Sequence, residues 1–143
     1  MKYLEIIKQL NEKKIKYLIV GGLDVNLHGY SRFTADIDVI IELEENNIQR
    51  LITLLLNLGY KTKLPVNPID FSNQEIRAEW INNKNMRTFN FYKEDALISE
   101  FDIIIIGNND FKEKYSRRID YDVDGIKISV IKHIIHIATH QLD

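Results

Sequence analysis

The sequence contains no cysteine, so a disulfide scaffold and a thiolate metal site are both excluded, and a cytoplasmic setting is expected. No stretch approaches the roughly 18 consecutive apolar residues of a membrane helix, so no membrane contact is expected. The opening Met1-Lys2-Tyr3-Leu4-Glu5 lacks a secretory pattern, its short apolar pieces being broken by Glu5, Lys8 and Glu12. Net charge is small as well: 19 Lys and Arg stand against 21 Asp and Glu, a formal −2. A general nucleic-acid coat is thereby excluded, although a local basic patch could still receive an RNA end. Proline occurs only twice, at Pro65 and Pro68, and these bracket a loop that cannot be central sheet. Internal repeats, low-complexity tracts and linkers are all missing, so residues 1–143 are expected to form one domain. A chain of that length should bury roughly 68–70% of its unfolded surface.

Apolar residues make up 45% of the chain and charged residues 28%, values of an ordinary globular protein. Tyr3, Leu4, Ile6, Ile7 and Leu10 follow an i, i+3, i+4 pattern, which predicts an amphipathic helix over 2–14. Lys13, Lys14 and Lys16 close it as a solvated cationic end. Residues 16–20 read as a buried strand, and residues 23–28 as a short helix ended by Gly29. A strand follows at 36–43. Glu44-Glu45-Asn46-Asn47 then opens a second amphipathic helix that turns Ile48, Leu51, Leu54, Leu55 and Leu58 to the core and stops at Gly59. Residues 60–64 suggest a short strand, and Ser72 with Glu75 a capping box opening a helix through about Trp80. Residues 86–92 alternate so that Phe89 and Phe91 share one face of a strand. The run 97–106 is the next strong feature, with Phe101–Ile106 apolar except for one acid, Asp102. Asp124-Gly125 marks a hairpin between 121–123 and 126–130, after a polar helical turn carrying Lys112, Lys114, Arg117 and Arg118. A last helix is expected over 131–142. Helices and strands alternate early and hairpins follow, which points to an α/β (α+β) fold: a small mixed sheet flanked by helices.

The chemistry concentrates between Gly21 and Asp38. A Gly21-Gly22 turn ahead of a helix offers backbone N–H groups to a phosphate and leaves no side chain in its way. Neither a dinucleotide nor a P-loop fingerprint surrounds it. Asp36 and Asp38 are i and i+2 in a strand, so they project from one face while Ile37 goes to the other. Two carboxylates side by side repel, and a divalent cation with oxygen ligands is the usual agent that offsets this. Asp102 is an isolated acid in the apolar segment Phe101-Asp102-Ile103-Ile104. By itself it could simply mark the exposed start of a strand, but beside the other two it completes a set suited to two-metal phosphoryl transfer.

Gly21-Gly22, His28-Gly29, Arg32, Thr34, Asp36-Ile37-Asp38 and Phe101-Asp102-Ile103 together resemble the minimal nucleotidyltransferases of the polymerase-beta-like superfamily, with the AbiEii-toxin-like branch nearest. The resemblance is specific over 17–41 and fair around 98–106. It implies the nucleotidyltransferase-like fold and a two-metal Mg²⁺ site at Asp36, Asp38 and Asp102. It also implies that Asp102 is the base for the incoming hydroxyl. Gly21 and Gly22 would hold the phosphates of a nucleoside triphosphate such as ATP, with Arg32 and Thr34 beside them. The implied activity is NMP transfer to a hydroxyl on tRNA or another RNA, a protein or an aminoglycoside-like small molecule, with a toxin–antitoxin partner also compatible. A catalytically silent nucleotide- or partner-binding relative and an unrelated metal-dependent phosphohydrolase are the alternatives.

Two further features stand outside that pattern. Where many relatives carry Lys and Arg in the helix after the last strand, this chain has His133, His136 and His140, spaced to share a face either as metal ligands or as a polar stripe. Residues 66–92, with Trp80, Lys84, Arg87, Phe89 and Phe91, are expected either to form a flap beside the site that stacks on a base, or to pack under a hairpin.

Overall fold

The computed structural model describes residues 2–21, 35–105 and 110–132. Helix α1 (Lys2–Glu12) buries Tyr3, Leu4, Ile6, Ile7 and Leu10, the residues its apolar spacing selects. Strand β1 (Tyr17–Gly21) follows, then β2 (Ala35–Ile41) and helix α2 (Glu45–Asn57). Helix α2 is capped at both ends. Glu44 accepts the amides of Asn46 and Asn47 at 3.1 and 2.8 Å. At the other end Tyr60 N–H reaches Leu55 C=O and Gly59 N–H reaches Leu56 C=O, a Schellman closure that places Gly59 at φ +96.

The chain continues through β3 (Lys61–Thr62), a 3-10 turn (Pro68–Ser72), helix α3 (Gln74–Asn83), the strands β4 (Thr88–Tyr92) and β5 (Ile98–Ile104), helix α4 (Phe111–Ser116), and the hairpin of β6 (Ile119–Val123) and β7 (Ile126–Val130). The hairpin turn has positive φ at both central residues, +52 at Asp124 and +82 at Gly125, as a two-residue primed turn requires. Helix α3 departs from the expected capping box. Its N-cap is Asn73, which accepts Ile76 N–H at 3.0 Å, while Ser72 Oγ donates to Ile69 C=O at 2.8 Å. The 3-10 turn started by Pro68 has already engaged Ser72, so the next residue takes the cap.

Among the described residues the strands form one mixed sheet in the order β3-β4-β5-β2-β1-β7-β6, with β2–β5 and β1–β7 parallel and the other pairs antiparallel. Its two faces differ in chemistry. One turns Ile19, Ile37, Val39, Ile41, Phe89, Phe91, Phe101, Ile103 and Val130 into the main core with α1, α2 and Trp80. The other turns Leu18 and Ile40 toward Phe111 and Ile131, with Val20, Ile104 and Tyr115 packed around them, so α4 covers only part of it. Asp38 and Asp102 lie two residues before Ile40 and Ile104 on this second face, which stays polar there.

Within 66–92 the aromatic side chains Phe71, Trp80, Phe89 and Phe91 belong to the core, while Lys84 and Arg87 are exposed. Phe71–Phe89 and Phe89–Phe91 ring centroids lie 4.7 and 4.8 Å apart, and Trp80–Phe89 5.7 Å. Phe71, Phe89 and Phe91 are fully buried and Trp80 is buried with them, so the expectation of a base-stacking flap is corrected. Burial of that much aromatic surface, about 1.5–3 kcal/mol per side chain, outweighs any tendency of the segment to stand off the sheet. The expected short helix over 23–28 lies outside the described residues, as does the final helix beyond Lys132. No described helix is long and apolar enough to cross a membrane.

Candidate active site

Alternation along β2 does what strand geometry demands: Ile37 is fully buried, Asp36 is exposed and Asp38 is half-buried. The third acid arrives by pairing. In the parallel β2–β5 ladder Asp38 is the register partner of Asp102, and Asp36 that of Glu100. The alignment depends on a one-residue register shift. Ala35 pairs with Ile98, but Asp36 pairs with Glu100, so Ser99 is the extra residue. Without that shift Ser99 would stand beside Asp36 and Phe101 beside Asp38, since a slip of one residue exchanges the faces of a strand. A second irregularity sits opposite. Ile19 pairs with Val39 but Gly21 with Asp38, so the end of β1 is displaced where the glycine turn begins.

Crowding of these acids changes their protonation. The Asp38 carboxyl is pushed up to about 6, first by burial, then by the charges of Asp102 and Asp36, a hydrogen bond shared with Asp102, and Glu100. Asp36 is raised as well, by burial and then by Glu100 and Asp102, with Lys63 working against it. Lys63 is ion-paired with Glu100, and that hydrogen bond raises the Lys63 ammonium above its usual range. On β4, Asn90 Nδ2 donates to Asp102 Oδ1 at 2.8 Å. Glu100, Lys63 and Asn90 escaped the sequence reading. Glu100 precedes Asp102 by two residues, so strand alternation could have found it, and Asn90 lies between two core phenylalanines. Lys63 offered no signal, because only the β3–β4 pairing brings it to β5.

Of the remaining candidates, Gly21 ends β1 opposite Asp38. Gly22, His28, Arg32, Thr34, His133, His136 and His140 lie outside the described residues. Among the described residues no three acids or histidines converge tightly enough to cage a metal ion. The donor set still suits Mg²⁺ chemically. It is oxygen-only and partly desolvated, and its mutual repulsion raises Asp36 and Asp38. Mg²⁺ is commonly held by one or two carboxylates together with waters and substrate phosphates, with no all-protein cage.

No family model and no curated protein matches the chain. Among solved structures it is similar to the crystal structure of lincosamide antibiotic adenylyltransferase LnuA with lincomycin bound, at 17% identity and a TM-score of 0.57, over 97% of this chain and 84% of that one. The likeness is one of fold, and it bears out the mixed-sheet, nucleotidyltransferase-like architecture expected from the sequence.

Proposed function

We propose that this chain is a Mg²⁺-dependent nucleotidyltransferase that moves NMP from a nucleoside triphosphate, such as ATP, to a hydroxyl of an acceptor. One observation carries the reading: Asp36 and Asp38 on one strand, and Asp102 in register with Asp38 on the next parallel strand, share the polar face of a nucleotidyltransferase-like sheet. Asp36, Asp38 and Asp102 would hold Mg²⁺ together with waters and the substrate phosphates, and the bound ion would neutralise the triphosphate and polarise its P–O bonds. Gly21 and Gly22 would offer backbone N–H groups to the phosphates, with Arg32 and Thr34 beside them. Asp102 takes the proton of the acceptor hydroxyl as its oxygen bonds the α-phosphorus. The α–β bridging bond breaks and its electron pair leaves with pyrophosphate. The roles given to Asp36, Asp38 and Asp102 are supported by their placement on one face and by the resemblance to polymerase-beta-like enzymes, and those given to Gly21, Gly22, Arg32 and Thr34 by that resemblance alone.

LnuA is a lincosamide antibiotic adenylyltransferase, and a small hydroxylated molecule is accordingly the first acceptor to test. RNA and a protein hydroxyl come next, and a protein partner in a toxin–antitoxin pair is compatible with each of these acceptors. A single domain in the cytoplasm accords with this reading. Incubation with each α-labelled NTP and these acceptors is the test. Label transfer by the wild type, lost at least a hundredfold in Asp36→Asn, Asp38→Asn and Asp102→Asn and kept in the hairpin-turn control Asp124→Asn, is the expected result. Nucleotide binding without turnover would instead mark a silent relative, and labelled NDP or NMP released with free phosphate or pyrophosphate and no labelled acceptor a phosphohydrolase.

A further inference from the structure

The pair Asn90–Asp102 is a cross-strand neighbour pair of β4 and β5, and the amide donates to the carboxylate at 2.8 Å. Asparagine is depleted in strands, yet here it stands between Phe89 and Phe91, whose rings go to the opposite, core face. Packing does not call for an amide at this half-buried position. Hydrogen bonding to Asp102 does. A lysine or arginine could also reach the carboxylate, but it would bring a positive charge that competes with a cation for the same oxygens. A neutral amide holds the carboxylate without cancelling its charge. Asp102 lies between Asn90 on one side and Asp38 on the other, so the bond to Oδ1 leaves Oδ2 for the side on which the other acids stand.

We propose that Asn90 is a positioning residue that fixes the rotation of the Asp102 carboxylate, so that Oδ2 is presented to the metal and acceptor. The proposal rests on the nucleotidyltransferase reading and adds to it a residue acting through Asp102. Groups that orient metal-binding carboxylates in this way commonly change metal affinity or activity by about 10–100-fold when removed.

The test is a double-mutant cycle on the full chain, read by Mn²⁺ affinity from electron paramagnetic resonance and, separately, by transfer kinetics. Asn90→Val is the main variant, because a β-branched residue favours the strand while removing the donor; Asn90→Ala is the second should valine perturb folding. Melts in EDTA confirm the fold. The expected result is an affinity or kcat loss of about 10–100-fold with KM for the nucleotide unchanged, and partial recovery in Asn90→Gln. In an Asp102→Asn background the same substitution should cause no further loss of Mn²⁺ affinity. An equal loss in both backgrounds, or no loss in either, overturns the proposal while leaving the enzymatic reading intact. A wild type that binds Mn²⁺ but transfers nothing overturns the enzymatic reading, and the affinity cycle still decides on Asn90. A wild type that binds no Mn²⁺ overturns the positioning role.

Discussion

Asp38 is half-buried beside Asp36, two residues along its own strand, and Asp102, its partner on β5. Its carboxyl is pushed up from 3.8 to about 6, with burial the first cause and the neighbouring acids next. Between those values the folded protein keeps a proton that the unfolded chain has released. The contribution to stability is therefore complete below the unfolded value and is lost as pH rises through about 6. Asp36, raised by the same causes, adds to this in the same direction. In EDTA, wild type should lose melting temperature between pH 5 and pH 7.5, whereas Asp38→Asn should lose less and at pH 7.5 melt at least as high. Parallel pH profiles of the two proteins would show that Asp38 feels no such crowding.

Elements meet at Asn47 in the first turn of α2. Its side chain is buried, its Nδ2 donates to Lys16 C=O and Glu42 C=O at 3.2 and 2.9 Å, and its Oδ1 accepts Lys16 N–H at 2.8 Å. One amide thus ties the helix start to the beginning of β1 and the end of β2, the two strands that carry Gly21 and the Asp36–Asp38 pair. Asn47→Ala leaves Lys16 N–H and Glu42 C=O, both part-buried, without this partner, while Lys16 C=O still accepts Glu42 N–H, at a cost of about 2–4 kcal/mol. A thermal melt should show a drop of roughly 5–15 °C, and a change of a degree or two would mean that water replaces the amide. The sequence showed Asn47 only as part of a polar helix start. Its partners are 31 residues and 5 residues away, and no local pattern reports a bond across that distance. Competing contacts decide Ser72 and Trp80 as well. Ser72-Asn-Gln-Glu75 is a sound capping signature, but the turn from Pro68 decided which residue was free to cap. Trp80 beside Lys84 and Arg87 could stack on a base or on Phe71 and Phe89, and only packing chose the latter.

At the scale of the whole molecule, the metal site proposed for the clustered acids would link cation binding to stability. A ligand that binds only the folded state at a hundred times its dissociation constant adds about 2.7 kcal/mol, several degrees for a domain of this size. Millimolar Mg²⁺ should raise the melting temperature by that order over EDTA at pH 7.5. Asp38→Asn should lose most of the increment, and an equal metal shift in the two proteins would take Asp38 out of the metal site.

Period and punctuation in the sequence determined most of the elements: the helical spacing of Ile48, Leu51, Leu54 and Leu55, the stop at Gly59, the Asp124-Gly125 hairpin, and the alternation that sends Asp36 and Asp38 one way and Ile37 the other. These are legible because they depend on residues within one or two turns of each other. Strand order, register and the second coordination of each acid were decided only in three dimensions. The shift at Ser99 aligns Asp102 with Asp38, β4 brings Asn90 to Asp102, and β3 brings Lys63 to Glu100. Each joins residues far apart in the chain, where the burial of Phe89, Phe91 and Phe101 on the opposite face sets the register.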